Sequence, residues 1–133
     1  MDDAAVPVMI VDDQLPFRLA ARAVVGATSG FAVVAEAESG ARAIELAESS
    51  RPELVLMDIN MPGLDGIETT RRLLDRDASV LVVLVSTYAV ADLPAGARRC
   101  GAGAYVHKEE LTPAVLRELW ANGGDDTWRL PGG

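Results

Sequence analysis

Little in this chain of 133 residues invites a covalent cross-link or a membrane. It holds one cysteine, Cys100, so no disulfide can close within the chain and a reducing compartment is expected. Cys100 stands in a Gly/Ala-rich stretch with no neighbouring histidine, which favours packing over nucleophilic work. Aromatics make up only 5% of the residues, so a core must be assembled mostly from Val, Leu, Ile and Ala. No apolar run approaches the ~20 residues that span a bilayer. The start, Met1-Asp2-Asp3, has none of the basic character of a secretory leader, and a cytoplasmic location with no membrane contact is expected. Positive charge is also short, with 12 Lys and Arg against 20 Asp and Glu, a net charge of −8. Such a chain repels a phosphate backbone at long range, so direct nucleic-acid binding by this domain is not expected. An anionic ligand remains open, since it answers to local charge.

What is present is an alternation. Half the residues are apolar, enough for one real core at this length. Short apolar runs at Val6–Val11, Phe31–Ala35, Leu54–Met57, Val80–Val85 and Ala104–Val106 read as strands. Between them lie stretches of helical period: one carrying Leu15, Leu19 and Ala23, one with Ala43, Ile44 and Ala47, one with Ile67, Thr70, Leu73 and Leu74, and a last with Val115, Leu116, Leu119 and Trp120. Thr112 and Pro113 suit the cap and first position of that last helix. These four stretches and a further helix expected between the fourth and fifth strands make five helices in all. Five apolar strands alternating with five helices predict an α/β fold with a parallel sheet covered on both faces, doubly wound through right-handed crossovers. Residues 1–122 form the expected domain; 123–133 read as a tail or the start of a linker.

In such sheets ligands bind outside the carboxyl ends of the strands. Those ends carry Asp12 and Asp13 after the first strand, Asp58 after the third, Ser86 and Thr87 after the fourth, and His107 and Lys108 after the fifth. Three carboxylates close together repel unless a proton or a hard cation relieves them, and Mg²⁺ takes oxygen ligands of this kind. Asp12 and Asp13 are thus expected to hold metal, leaving Asp58 as a nucleophile able to form an acyl phosphate. Lys108 and the Ser86 hydroxyl would each pair with a phosphoryl oxygen. Each feature has a plainer reading: a helix cap for the Asp pair, turn chemistry for Asp58, a surface charge for Lys108. Their arrival from four separate strand ends favours the functional one. His107 and Tyr88 read as structural.

The pieces Ile10-Val11-Asp12-Asp13, Met57-Asp58-Ile59-Asn60-Met61-Pro62-Gly63-Leu64-Asp65-Gly66, Val85-Ser86-Thr87 and Gly103-Ala104-Tyr105-Val106-His107-Lys108 resemble the receiver domain of bacterial two-component response regulators. The likeness covers roughly residues 6–122 and is nearest the NarL/FixJ (LuxR-type) class. It implies the flavodoxin-like strand order 2-1-3-4-5. It further implies phosphorylation of Asp58 by a sensor histidine kinase, and Mg²⁺ held by Asp13, Asp58 and the Asn60 carbonyl with Asp12 assisting. Catalysis would rest on Asp58, Lys108 and Ser86, with no activity beyond Mg²⁺-dependent self-phosphorylation and dephosphorylation. Ser86, Thr87 and Tyr105 match the switch positions that couple phosphorylation to the surface of the fourth helix, fifth strand and last helix. The implied role is phosphorelay signalling that regulates transcription through an effector domain outside this chain, and the resemblance leaves room for a homodimer. The alternative is a stand-alone receiver or a phosphorylation-independent protein-binding module.

Three departures stand out. Position 86 is Ser where Thr is common, and Glu109 follows Lys108 where many receivers have Pro, so a trans peptide is expected there. Pro94 lies where a fourth helix belongs, which predicts a short helix beginning near Leu93 after a lead-in from Tyr88. Two rivals fit less well. An aspartate-nucleophile phosphatase needs a second Asp two residues on, where this chain has Asn60. A flavodoxin-like cofactor binder needs a phosphate cradle, where Asp12-Asp13 would repel one.

Overall fold

The computed structural model describes residues 5–125 and Trp128; the acidic start and most of the 123–133 segment lie outside the described residues. Five strands, β1 (Val6–Val11), β2 (Phe31–Ala37), β3 (Leu54–Asp58), β4 (Leu81–Ser86) and β5 (Ala104–His107), form one parallel sheet in the order β2-β1-β3-β4-β5. This is the flavodoxin-like order that the resemblance implied. A register shift between Val8 and Met9 lets the seven-residue β2 follow the six-residue β1.

Among the described residues four α-helices accompany the strands: α1 (Leu15–Gly26), α2 (Gly40–Ser50), α3 (Gly66–Arg76) and α4 (Pro113–Asn122). Local chemistry sets three of their starts. Ser39 accepts from Arg42 N–H at 3.1 Å, Asp65 from Glu68 N–H at 2.9 Å and Thr112 from Val115 N–H at 3.2 Å, each satisfying an orphan donor of a first turn. Strand alternation then divides the core. Val8, Ile10, Leu54, Leu56, Val83 and Val85 point to one face and pack with residues of α1 and α4. Met9, Val11, Val55, Met57, Val82 and Leu84 point to the other, toward α2 and α3. Every one of these strand residues is fully buried.

The expected fourth helix is absent among the described residues. In place of a helix from Leu93, the connection between β4 and β5 makes two 3-10 turns, Val90–Asp92 and Ala97–Arg99. The reason lies in the spacing of two breakers. Pro94 donates no backbone hydrogen bond, and Gly96 sits at φ 88°, a left-handed conformation that cannot continue a right-handed helix. Leu93, Ala97, Cys100 and Ala102 are buried on the α2/α3 face nonetheless. Cys100 packs there, its thiol donating to the Ala97 carbonyl. No described peptide bond is cis, so Lys108-Glu109 is trans as expected. No helix among the described residues is long and apolar enough to cross a membrane.

Candidate functional site

Because all five strands run the same way, their carboxyl ends meet at one edge, and the carboxylates gather there. Asp12, at the exit of β1, is fully buried. Its Oδ1 accepts from the Gln14 N–H at 2.8 Å and its backbone carbonyl from Arg18 Nη1 at 2.8 Å, so the side chain is held by its own turn and by α1. Asp13 beside it is exposed, and Asp58, the last residue of β3, is 5% exposed. Asp12, Asp13 and Asp58 each present a ligand atom, all within 4.8 Å of one another.

Lys108 enters this cluster from the end of β5. Its Nζ lies 2.7 Å from Asp12 Oδ2 and 3.5 Å from Asp58 Oδ1. The contact to Asp12 is an ion pair without the directional geometry of a hydrogen bond. The same ammonium sits 4.6 Å from the centroid of the Phe17 ring, a cation–π distance. One cation against three carboxylates leaves the site short of positive charge. Asp58 registers this: burial, and then the charge of Asp12, push its carboxyl up to about 6, and Lys108 only partly pulls it back. A hard divalent cation fits this donor set, since three carboxylates with one lysine leave two uncompensated negative charges in oxygen ligands.

The exit of β4 supplies the neutral groups. Ser86 is buried and its Oγ accepts only a long 3.5 Å contact from Tyr88 N–H, so the hydroxyl is available for a stronger acceptor. Thr87 is exposed, and its carbonyl rather than its hydroxyl is engaged, at 3.1 Å from His107 Nε2. His107 Nδ1 accepts from the Glu109 N–H at 3.1 Å, which assigns the remaining proton to Nε2 and makes it the donor to Thr87. Tyr105, in β5, donates its hydroxyl toward the carbonyls of Ser86 and Tyr88. Burial, with Glu110 nearby, pushes that phenol up to about 12, so it stays a donor. Asn60 is exposed two residues past Asp58, its side-chain amide donating to Tyr88 Oη at 2.9 Å.

The structure therefore brings Asp12, Asp13, Asp58 and Lys108 together as the sequence predicted. Ser86 stands at the same sheet edge, with β4 paired to β3 through Asp58 and Val85. Thr87, Asn60 and Tyr105 lie around it, joined through Tyr88 and His107, two residues read as structural. Phe17 was missed. Its signal was positional: a bulky ring in the first turn of a helix that opens beside two acidic residues.

Comparison with known proteins agrees. The family model of the response regulator receiver domain matches residues 8–119. The transcriptional regulatory protein DegU of Brevibacillus brevis is 32% identical over 126 residues, 93% of this chain and 53% of the relative. The transcriptional regulatory protein PdtaR of Mycobacterium tuberculosis is 37% identical over 135 residues, 92% of this chain and 65% of the relative. A two-component response regulator of the LuxR family from Aurantimonas superposes with a TM-score of 0.78 at 30% identity, covering 89% of this chain and 84% of that one. This chain thus spans about half to two thirds of the length of these two curated relatives.

Proposed function

This chain belongs to the response regulator receiver family, and from that premise we propose that it accepts a phosphoryl group on Asp58 from a sensor histidine kinase in the cytoplasm. What carries the reading is the convergence of Asp12, Asp13 and Asp58 within 4.8 Å, with Lys108 Nζ bridging Asp12 and Asp58. A carboxylate oxygen of Asp58 attacks phosphorus, an O–P bond forms, and the N–P bond to the kinase imidazole breaks, the nitrogen then taking up a proton. Lys108 is placed to move from Asp12 toward a phosphoryl oxygen, and the Ser86 hydroxyl to donate to another. Asp12, Asp13, Asp58 and the Asn60 carbonyl would hold Mg²⁺. Bound there, the ion neutralises the charge that accumulates on the transferring group. Burial of Asp12 and Asp58 limits access of water to the resulting acyl phosphate.

The output is a change of surface around Ser86, Thr87 and Tyr105, read by an effector domain outside this chain. DegU and PdtaR are named transcriptional regulatory proteins, which supports transcription as the process regulated. The test is intact mass after incubation with acetyl phosphate, with Mg²⁺ and with chelator, for the wild type and Asp58→Asn. One added phosphoryl group that requires both Asp58 and Mg²⁺ is expected. If no group is added and beryllofluoride with Mg²⁺ leaves the melting temperature unchanged, the acceptor reading is wrong. A phosphorylation-independent binding module would then replace it.

A further inference from the structure

At the amino ends of β3 and β4, away from the carboxylates, a cleft of about 240 Å³ lies between the C-terminal turns of α2 and α3. Its floor is apolar. Val55 and Leu73 there are buried, and Ala47 and Val80 are half-buried. Its rim is charged, with Glu48 and Arg51 from the end of α2 and Arg76 and Asp77 from the end of α3. Asp58 lies three residues along β3 from Val55, roughly 10 Å at the rise of a strand. No residue of the acidic site lines this cleft.

The four rim charges sum to zero, but three of them are committed. Arg76 Nη2 pairs with Glu48 Oε2 at 2.9 Å, from α3 to α2. Asp77 Oδ1 accepts from the N–H and the hydroxyl of Ser79 at 3.0 and 2.5 Å. Among the described residues no ion pair or hydrogen bond engages the Arg51 guanidinium. Arg51 is also the one described residue other than glycine with a positive φ, 48°, at the left-handed cap of α2. Glycine is the usual occupant of such a cap, and a side chain there is strained. The cap needs no arginine: the bond from its N–H to the Ala47 carbonyl, at 3.1 Å, is one that glycine would make as well. An exposed, unpaired cation is thus held under strain beside an apolar recess, which neither capping nor packing explains.

We propose that this cleft binds a small carboxylate with a ring-sized apolar body, the ring seated on Val55, Leu73 and Val80 and the carboxylate paired with Arg51. Volume suits the ring: a cavity of about 150 Å³ holds benzene, and the remainder takes a short arm reaching the rim. The planar guanidinium offers two parallel donors to a carboxylate. The Glu48–Arg76 pair stays in place, because the ligand takes only the free cation. A compact hydrated anion such as inorganic phosphate would leave the apolar floor uncovered, so the ligand is amphipathic. The site shares no residue with the phosphoryl acceptor and stands independently of that reading.

The experiment titrates the isotope-labelled chain with 3-phenylpropionate, and with the neutral 3-phenylpropionamide, and follows NMR shifts. The acid is expected to saturate with a Kd of about 1 mM or tighter, moving signals of Ala47, Arg51, Val55, Leu73 and Val80 and leaving Asp12, Asp58 and Lys108 unmoved. The amide on the wild type, and the acid on Arg51→Gln, are each expected to bind about tenfold more weakly. Arg51→Lys should restore most of that loss. Arg51→Gly is expected to melt about 3 °C higher than the wild type, as strain is relieved, and to bind no better than Arg51→Gln. Ala47→Leu fills the cleft and should weaken acid and amide alike. Arg51 is exposed, so its variants decide the matter if Ala47→Leu does not fold. The site is overturned by no saturable shift up to about 10 mM, by shifts confined to Asp12 and Lys108, or by equal affinity for acid and amide. Wild-type affinity in Arg51→Gln would overturn it too, as would a lowered melting temperature in Arg51→Gly, which would make the arginine a stabilising residue.

Discussion

The two connections that frame the site are built in opposite ways. After β3 the chain turns back into α3 under backbone constraint. Gly66 N–H donates to the Ile59 carbonyl at 2.9 Å, and a Cβ on Gly66 would fall 1.9 Å from the Asp58 carbonyl oxygen. After β4 the chain makes two isolated 3-10 turns, buries Leu93, Ala97, Cys100 and Ala102, and is tied to carbonyls across it by the side chains of Arg98 and Tyr105. The first connection is held close against the backbone of Asp58 itself. The second can exchange its few side-chain bonds without unfolding the sheet, which is what a switching element requires.

The largest way to break this contrast is Gly66→Ala. The added methyl meets backbone, not the end of a flexible side chain, so relief requires moving Asp58 or α3. The expected loss is about 3 kcal/mol or more. At a urea slope of roughly 1.5 kcal/mol per molar, that lowers the unfolding midpoint by about 2 M. A midpoint within a few tenths molar of the wild type would show that the β3–α3 turn is not the rigid partner.

Asp58→Asn should act in the other direction. Burial and the neighbouring Asp12 push the folded carboxyl up to about 6, above the ordinary range of an aspartate near 4, so the folded state holds a proton that the unfolded state has lost across that interval. The contribution to stability is present below about pH 4 and is lost as pH rises through 6. Replacing the carboxylate by an amide removes this penalty, for an expected gain of about 2 kcal/mol at pH 8 without divalent cation and almost none at pH 4. Urea unfolding at the two pH values measures it. An equal gain at both would mean that packing, not charge, strains the site.

The contrast also governs what could be read from residues alone. The strands, the cap Thr112 and the acidic cluster were legible, because period, cap chemistry and strand-end position are local signals. Each depends on a few neighbours in sequence. The β4–β5 connection was not. Pro94 signalled a late helix start, but the left-handed Gly96 two residues on removes room for any helix, and Leu93 and Ala97 are buried all the same. Trp128 was illegible for a different reason. Its partners Arg98 and Tyr105 lie 30 and 23 residues away in the chain, so no local signal ties it to them.

Arg98→Met tests the weaker connection directly. Two hydrogen bonds to carbonyls are lost while the aliphatic stem is kept, so the global cost should be about 1 kcal/mol. Amide exchange should rise across 89–103 and stay unchanged across 59–66. A rise spread over both segments would mean that they form one cooperative unit, and the proposed division of labour would fail.

The smallest effect is expected where the two regions meet, at Lys108. This lysine follows β5, on the adaptable side, yet its ammonium belongs to the carboxylates on the rigid side. Phe17, from the first turn of α1, holds it there by its ring face at 4.6 Å. Phe17→Leu keeps an apolar side chain but removes the quadrupole, worth about 0.5–1 kcal/mol at a site of this exposure. Labelling of Asp58 by acetyl phosphate should slow about two- to fivefold, with Phe17→Tyr restoring it and exchange over 89–103 unmoved. If instead that exchange rises, Lys108 is governed from the β5 side, and the boundary between the two regions lies at Asp58 itself rather than at the lysine.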